Sequence, residues 1–383
     1  MLESLEKLVN SAGLCHLTAG RILMMLVGAG MIYLSIKRKM EPYELLPIGF
    51  GIILANLPLT RLMPQLFDQL GGTQETGILG VFFHFLLYRW NILPPLIFLC
   101  IGAMTDFGPL IANPKTLLLG AAAQIGVFIS FFLALAAFGF SIPEACSIGI
   151  IGGADGPTTI YTSAILARDI LPATAAAAYT YMALVAFIQP PIMRGLTTKK
   201  ERRIEMKQLR HVSKLEKILF PLIASVVIIL LIPMSAPLIG MLMFGNLLRE
   251  SGVVSRLSHA AQNELMNIVS LVLMVCIGAS MSAERMMQTR TLMILGLGLF
   301  AFCCGTAGGI LLAKFMNLFC KDKINPLIGS AGVSAVPMAA RISQIMGQKE
   351  NPQNFLLMHA MGPNVAGVIG SAVAAGVFLA LAA

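Results

Sequence analysis

Formal charge is scarce in this chain. Of 383 residues only 12% are Asp, Glu, Lys or Arg, while 57% carry apolar side chains, and the mean hydropathy is +0.83. That length would permit two or three soluble domains, but so few polar side chains cannot cover so much apolar surface in water. The shortage excludes a soluble globular protein and leaves a multispanning membrane protein. No polar block longer than a middle loop interrupts the apolar segments that run from about Leu17 to Ala383. Ligand spacings are missing as well. The seven cysteines (15, 100, 146, 276, 303, 304, 320) lie mostly in apolar runs, with no Cys-x-x-Cys pair and no histidines at ligand spacing, so they read as buried thiols. The 24 methionines read as core filler. The opening MLESLEKLVN places acids before the first apolar run and offers no small-residue cleavage site, so the first span is expected to be retained. A net charge of +9 does not point to nucleic acid, because nine Lys/Arg cluster between Arg194 and Lys217, just after a span ends. Positive-inside bias in a lipid bilayer explains that cluster.

Against this background one carboxylate stands out. Between Glu144 and Arg168 the only formal charge is Asp155, in Ile148-Gly-Ile-Ile-Gly-Gly-Ala-Asp155-Gly-Pro-Thr-Thr-Ile-Tyr161. Glycine and proline break the helix there. The pattern returns 180 positions later as Ile328-Gly-Ser-Ala-Gly332-Val-Ser334-Ala-Val-Pro337, with Ile148/Ile328, Gly149/Gly329, Gly152/Gly332, Pro157/Pro337, Ser163/Ser343 and Ile165/Ile345 identical. Three further echoes keep the same order: Pro47 with Asn56-Leu57 and Pro237 with Asn246-Leu247, Cys-Ile-Gly-Ala at 100–103 and 276–279, and Pro172 and Pro352. Shared order points to duplication.

Segments of spanning length fit at about 17–36, 43–59, 88–107, 116–140 and 173–195, then at about 216–232, 235–248, 262–282, 291–315 and 353–382. Segment 74–87 is short enough to lie in the interface. Five crossings per half turn the second half over relative to the first. The expected fold is therefore an all-α integral membrane protein of two inverted repeats. Residues 1–195 form the first, with a re-entrant hairpin at 144–168; a basic cytoplasmic loop follows at 196–215; residues 216–383 form the second, with a re-entrant hairpin at 325–347. Charge supports this orientation: Lys37-Arg38-Lys39, Lys115, Arg249, Arg256, Lys314, Lys321, Lys323 and Lys349 fall on the cytoplasmic side, leaving mainly Arg61, Arg89, Arg168, Arg285 and Arg290 outside. Both termini would lie outside and the hairpin tips would meet near mid-bilayer, where paired broken helices hold ions or solutes.

Asp155 before Gly-Pro-Thr has the form of a helix N-cap. An acid inside a membrane is costly, however, and ion or proton handling is the reading favoured over capping. The second hairpin and last helix add Asn325, Ser330, Ser334, Arg341, Ser343, His359 and Asn364. Their amide, hydroxyl and carbonyl oxygens suit a hard cation, and with a single carboxylate a monovalent one, sodium first. Each of these Ser and Asn residues could instead join helices by hydrogen bonds. Arg341 could snorkel to headgroups or bind an anionic carboxyl group. For Tyr161, Tyr179 and Tyr181 an interfacial belt is the alternative, with Tyr181 the least belt-like.

The motifs GGADGPTTIY, INPLIGSAGVSAVPMAARISQ and MGPNVAGVIGSAVAAG resemble the β subunit of the biotin-dependent sodium-pumping decarboxylases, a likeness that extends over nearly the whole chain. The family comprises oxaloacetate, methylmalonyl-CoA, glutaconyl-CoA and malonate decarboxylase systems. The resemblance implies a bacterial inner-membrane subunit that decarboxylates carboxybiotin, delivered on a biotin carrier protein by a carboxyltransferase subunit, while sodium moves outward and a proton is consumed. It implies small membrane subunits as further partners and a homotrimer with an elevator-like core. It also implies Asp155 as the central sodium or proton carboxylate, with Asn325, Gly329, Ser334 and Asn364 as sodium ligands. Tyr181 and Arg341 match positions tied to proton delivery and carboxybiotin. Without the resemblance, a sodium-coupled secondary transporter of a small carboxylate fits the same broken helices, as does, less well, a structural anchor for a soluble enzyme.

Overall fold

The protein is described here from a computed structural model covering residues 13–60, 77–320 and 322–382. The expectations placed on the N-terminal ten residues, Arg61, the start of segment 74–87 and Lys321 lie outside the described residues. All ten segments expected to span are helical, and no strand occurs among the described residues. In chain order the helices needed below are α1 (Ala19–Arg38), α2 (Pro42–Asn56), α3 (Leu93–Met104), α4 (Thr116–Ala136), α5 (Ile142–Ile150), α6 (Gly156–Leu166), α7 (Leu171–Leu196), α8 (Lys214–Leu231), α9 (Ala236–Ser251), α10 (Ser255–Ser280), α11 (Thr289–Phe319), α12 (Met338–Glu350) and α13 (Leu357–Ala382).

Among the described residues six helical stretches are long and apolar enough to cross a membrane: α1, α4, Arg168–Leu196, α10, α11 and α13. A seventh arises if Ile78–Arg89 and α3, bent 76° apart, count as one. The remaining expected spans are shorter or more charged. Helix α2 has 15 residues, α9 has 16, and α8 opens on Lys214, Glu216 and Lys217. Only 17% of the most apolar stretch of α1 is buried within the chain, against 72% for Arg168–Leu196, so the first helix must find lipid or another subunit to cover it.

The chain divides into two compact units, Met1–Leu93 with Asn267–Met293 and Pro94–Met266 with Ile294–Ala383. The first unit packs α2 against the end of α10. Asn56 Nδ2 donates to the Ile52 and Met281 carbonyls at 2.8 and 3.1 Å, and its Oδ1 accepts from the Ala283 N–H at 2.8 Å. In the second unit Asn246 Nδ2 donates to the Thr105 carbonyl at 2.8 Å and to that of Gly102 at 3.4 Å. Met281 and Thr105 stand at equal distance beyond the two Cys-Ile-Gly-Ala stretches. The same joint is therefore built once in each unit, each time from one element of either half of the sequence.

The second unit carries both broken segments. Helix α13 lies at its centre, packed against α4, α5, α6, α12 and the turn Pro326–Gly332. In lipid, apolar contact alone does not drive helices together, so close backbone approach and interhelical hydrogen bonds must do so. Leu119, Phe302, Ile310, Leu327, Ile328 and Val333 make a tight apolar cluster here. Capping boxes at Ser141/Glu144, Thr198/Glu201 and Ser213/Glu216 open α5, the short helix Lys199–Arg202 and α8, giving their first N–H groups acceptors.

Candidate functional site

The first break follows from its sequence. Helix α5 tightens into a single turn at Ile151–Gly153, Ala154 adopts the left-handed conformation (φ 53°), and Asp155 is extended before Pro157 helps restart the helix as α6. A non-glycine residue in that conformation costs on the order of 1 kcal/mol, so surrounding structure must hold it. Asp155 does act as the N-cap: Oδ1 accepts from the Thr158 N–H at 3.1 Å. Its other oxygen is turned away from that helix. Oδ2 accepts from Ser371 Oγ at 2.6 Å and from Ser334 Oγ at 3.1 Å. The two serine hydroxyls lie 3.1 Å apart. Asp155 is 4% exposed, Ser334 6% and Ser371 0%.

In the second break, Asn325 caps the turn Pro326–Gly332; Val333 is extended, and after a bend at Ser334 and a turn at Val336–Pro337 the helix resumes as α12. Ser334 N–H donates to the Gly153 carbonyl at 2.9 Å, which stitches the two breaks together. Asn364 on α13 donates its amide to the carbonyls of Ala331 and Val333, both at 2.9 Å, and to that of Ala335 at 3.5 Å. Interrupted backbone is tolerated in a membrane only when its freed polar groups are satisfied by protein or by a wet cavity, and Asn364 does this for carbonyls of the second break. Asn364 Oδ1 is buried without a partner among the described residues.

The structure thus brings Asp155 and Ser334 together with Asn364 beside them, and it places the other expected residues elsewhere. Asn325 Nδ2 donates to the carbonyls of Arg202 and Ile204 at 3.0 and 2.8 Å, while Oδ1 accepts from the Leu327 N–H. Gly329 lies against Gly309 of α11, so close that a Cβ there would come within 2.2 Å of the Gly309 carbonyl oxygen. The Tyr181 hydroxyl donates to the Leu295 carbonyl, and a Cβ on Gly298 would touch both the Tyr181 ring and Ile151 of the first break. Arg341 is exposed on α12. Ser371 was missed as a site residue by sequence reasoning. It lies two turns beyond Asn364 on one helix face, a spacing that could have singled it out.

The basic loop forms a second polar cluster. Asn354 Nδ2 donates to the same two carbonyls as Asn325, at 3.2 Å to Arg202 and 3.1 Å to Ile204. The Arg202 guanidinium donates to Glu350 Oε1 through Nη2 at 2.7 Å and Nε at 3.0 Å, and through Nη1 to the Thr197 carbonyl. That hydrogen bond from Arg202 holds the Glu350 carboxyl below the ordinary carboxylate value. Both ends of the second broken segment are therefore tied to the loop 197–204.

Among the described residues no partner of the Asp155 carboxylate is cationic: it accepts from the Ser334 and Ser371 hydroxyls and the Thr158 N–H. A buried carboxylate without a counter-charge is strongly unfavourable, so this one needs a proton or a cation. A multi-pass membrane protein that gathers neutral oxygens around one buried acid belongs to the ion-translocating class. The chain belongs to the Na+-transporting oxaloacetate decarboxylase beta subunit family, which it matches over residues 20–382. It is 54% identical to the methylmalonyl-CoA decarboxylase subunit beta of Propionigenium modestum, an alignment covering 100% of both chains. Identity to the oxaloacetate decarboxylase beta chain of Klebsiella pneumoniae is 51%, covering 99% of each. To the glutaconyl-CoA decarboxylase subunit beta of Acidaminococcus fermentans it is 53%, covering 99% of this chain and 97% of the relative.

Proposed function

We propose that this membrane subunit of a sodium-pumping decarboxylase couples the decarboxylation of carboxybiotin to outward sodium movement through the Asp155 cage. Sodium is the cargo. Asp155 Oδ2, Ser334 Oγ and Ser371 Oγ form a small triangle of oxygens, and hydroxyl groups can rotate their hydrogens aside to present lone pairs to a cation. Asn364, with its unpartnered Oδ1, extends the donor set. A single carboxylate neutralises one positive charge, which favours a monovalent ion over a divalent one. The observation that carries the reading is the orientation of Asp155 Oδ2, turned from its own helix to hydroxyls of the opposing break and of α13.

Carboxybiotin, presented on its carrier by a carboxyltransferase subunit, places its carboxylate near Arg341, whose exposed guanidinium offers bidentate donors. The N–CO₂ bond breaks, CO₂ leaves, and the ureido nitrogen takes one proton. Tyr181, beside the first break, is proposed to relay that proton, and Asn325 and Gly329 to act on sodium by shaping the second break. Proton and sodium compete for Asp155, so protonation when the site faces outward releases the ion. The duplicated Asn56 and Asn246 joints support two inverted repeats, 1–195 and 216–383, with hairpins 144–168 and 325–347 entering from opposed faces. The basic loop 196–215 then lies in the cytoplasm of a bacterial cell whose inner membrane holds the complex. The little-buried α1 is consistent with a homotrimer, and small membrane subunits complete the assembly. Family membership leaves the carrier of a small carboxylate without support.

The test is sodium uptake by proteoliposomes holding the whole complex, driven by the decarboxylase substrate. Asp155→Asn is expected to abolish both uptake and sodium-dependent decarboxylation of carboxybiotin. Uptake that persists in the variant refutes the proposal.

A further inference from the structure

Helix α4 passes both breaks. A Cβ on Gly332 would lie 2.6 Å from the Leu119 carbonyl oxygen, and one on Gly152 would lie 2.7 Å from the Gly126 carbonyl carbon. Between those two contacts sits Gln124, where the helix itself is interrupted: Gln124 N–H donates to Ala121 and Val127 N–H to the Gln124 carbonyl, both across three residues. Its side chain is 6% exposed. The amide nitrogen is committed, donating to the carbonyls of Gly367 at 3.3 Å and Gly120 at 3.5 Å. That fixes which way the other atom points. Oε1 is buried and has no partner among the described residues. A Cβ built on Gly153 would stand 3.5 Å from Gln124 Oε1 and 3.3 Å from the Ser371 Cβ, so this oxygen lies on the side of the first break from which Ser371 reaches Asp155.

A buried amide oxygen with no donor is costly, on the order of 1–3 kcal/mol in proteins, and amide oxygens are good ligands for hard cations. Together with the proposed role of Asp155, on which this step rests, the geometry points to Gln124 Oε1 as a further sodium ligand, supplied by a third element that belongs to neither break. The cation then gains a neutral donor held in place by the hydrogen bonds of its own amide nitrogen. Sodium binding would also tie α4 to both breaks.

The test is the sodium concentration that half-saturates decarboxylation by the assembled complex. Gln124→Met, which keeps the side-chain shape and removes the oxygen, is expected to raise it about tenfold, with a smaller fall in kcat at saturating sodium. Gln124→Glu, which keeps an oxygen and loses the amide nitrogen, is expected to bind sodium more tightly than Gln124→Met. Unchanged half-saturation in Gln124→Met overturns the inference. So does an equal loss in both variants, since that assigns the effect to the amide bonds to Gly120 and Gly367. If Gln124→Met does not assemble, Gln124→Asn, which withdraws the oxygen by one methylene, is expected to show the same rise and is read the same way. Asp155→Asn separates the levels: if it keeps the wild-type sodium response, the Asp155 reading itself has failed, whereas its loss beside an unchanged Gln124→Met removes only Gln124.

Discussion

The two broken segments share a spacing and several residues, yet they are built for different work. The first makes its break with a left-handed Ala154 and closes it with an acidic cap, Asp155, whose second oxygen meets hydroxyls outside its own helix. The second has no charge at the matching position, Ala335. It offers a hydroxyl from Ser334, exposes a row of carbonyls and depends on other elements, Asn364 and the basic loop, to hold them. One segment supplies the charge, and the other, together with α13, supplies the neutral hydroxyls that meet it.

Among changes to the neutral groups, removing the two hydroxyls gives the largest expected effect. Ser334→Ala with Ser371→Ala should raise the half-saturating sodium concentration more than either single change, each of which should raise it about tenfold, because a hydrogen bond to a charged group contributes about 1.5–3 kcal/mol. Sodium titrations of decarboxylation measure both. The two changes should not add simply, since the hydroxyls touch each other. A double variant no weaker than wild type would dissolve the comparison.

A smaller effect is expected where the second segment is held from outside. Asn325→Ala and Asn354→Ala each remove an amide from the same pair of carbonyls, Arg202 and Ile204. Both should cut turnover several-fold, roughly the loss of 1 kcal/mol of positioning, while the half-saturating sodium concentration changes little. Double-mutant kinetics should show the two to be coupled. A large rise in half-saturating sodium for Asn325→Ala alone would instead make Asn325 a direct ligand.

The smallest effect concerns pH. Glu350 has its carboxyl lowered by Arg202 from the ordinary 4.5, so the pair's contribution to stability is fully present above that value and is lost as pH falls through the lower folded value. Thermal unfolding of detergent-solubilised protein should therefore weaken more steeply between about pH 5 and pH 3 in wild type than in Glu350→Gln. Equal slopes would show that this tie adds nothing.

Much of the site was legible because membrane insertion makes polar residues informative. An acid between two glycines and a proline in an apolar run has few structural excuses, and Asp155 sits where that logic puts it. Ser334 was legible from the repeat. Asn325 looked like a ligand because its amide is an oxygen donor near a break, but which carbonyls an amide meets depends on the path of a distant loop, here 202–204. Ser371 and Gln124 were hidden for a related reason: one among many small residues of α13, the other in an apolar span with no repeat partner to mark it. The helical segments were legible but their ends were not: α2 stops at Asn56, whose amide takes the Met281 carbonyl, whereas α9 runs on to Ser251, past Asn246.

Direct binding of radiolabelled sodium to the purified protein, without substrate, tests the central claim most closely. Wild type should show saturable binding that protons displace, and Asp155→Asn should show none. Saturable binding of unchanged strength in Asp155→Asn would contradict the account.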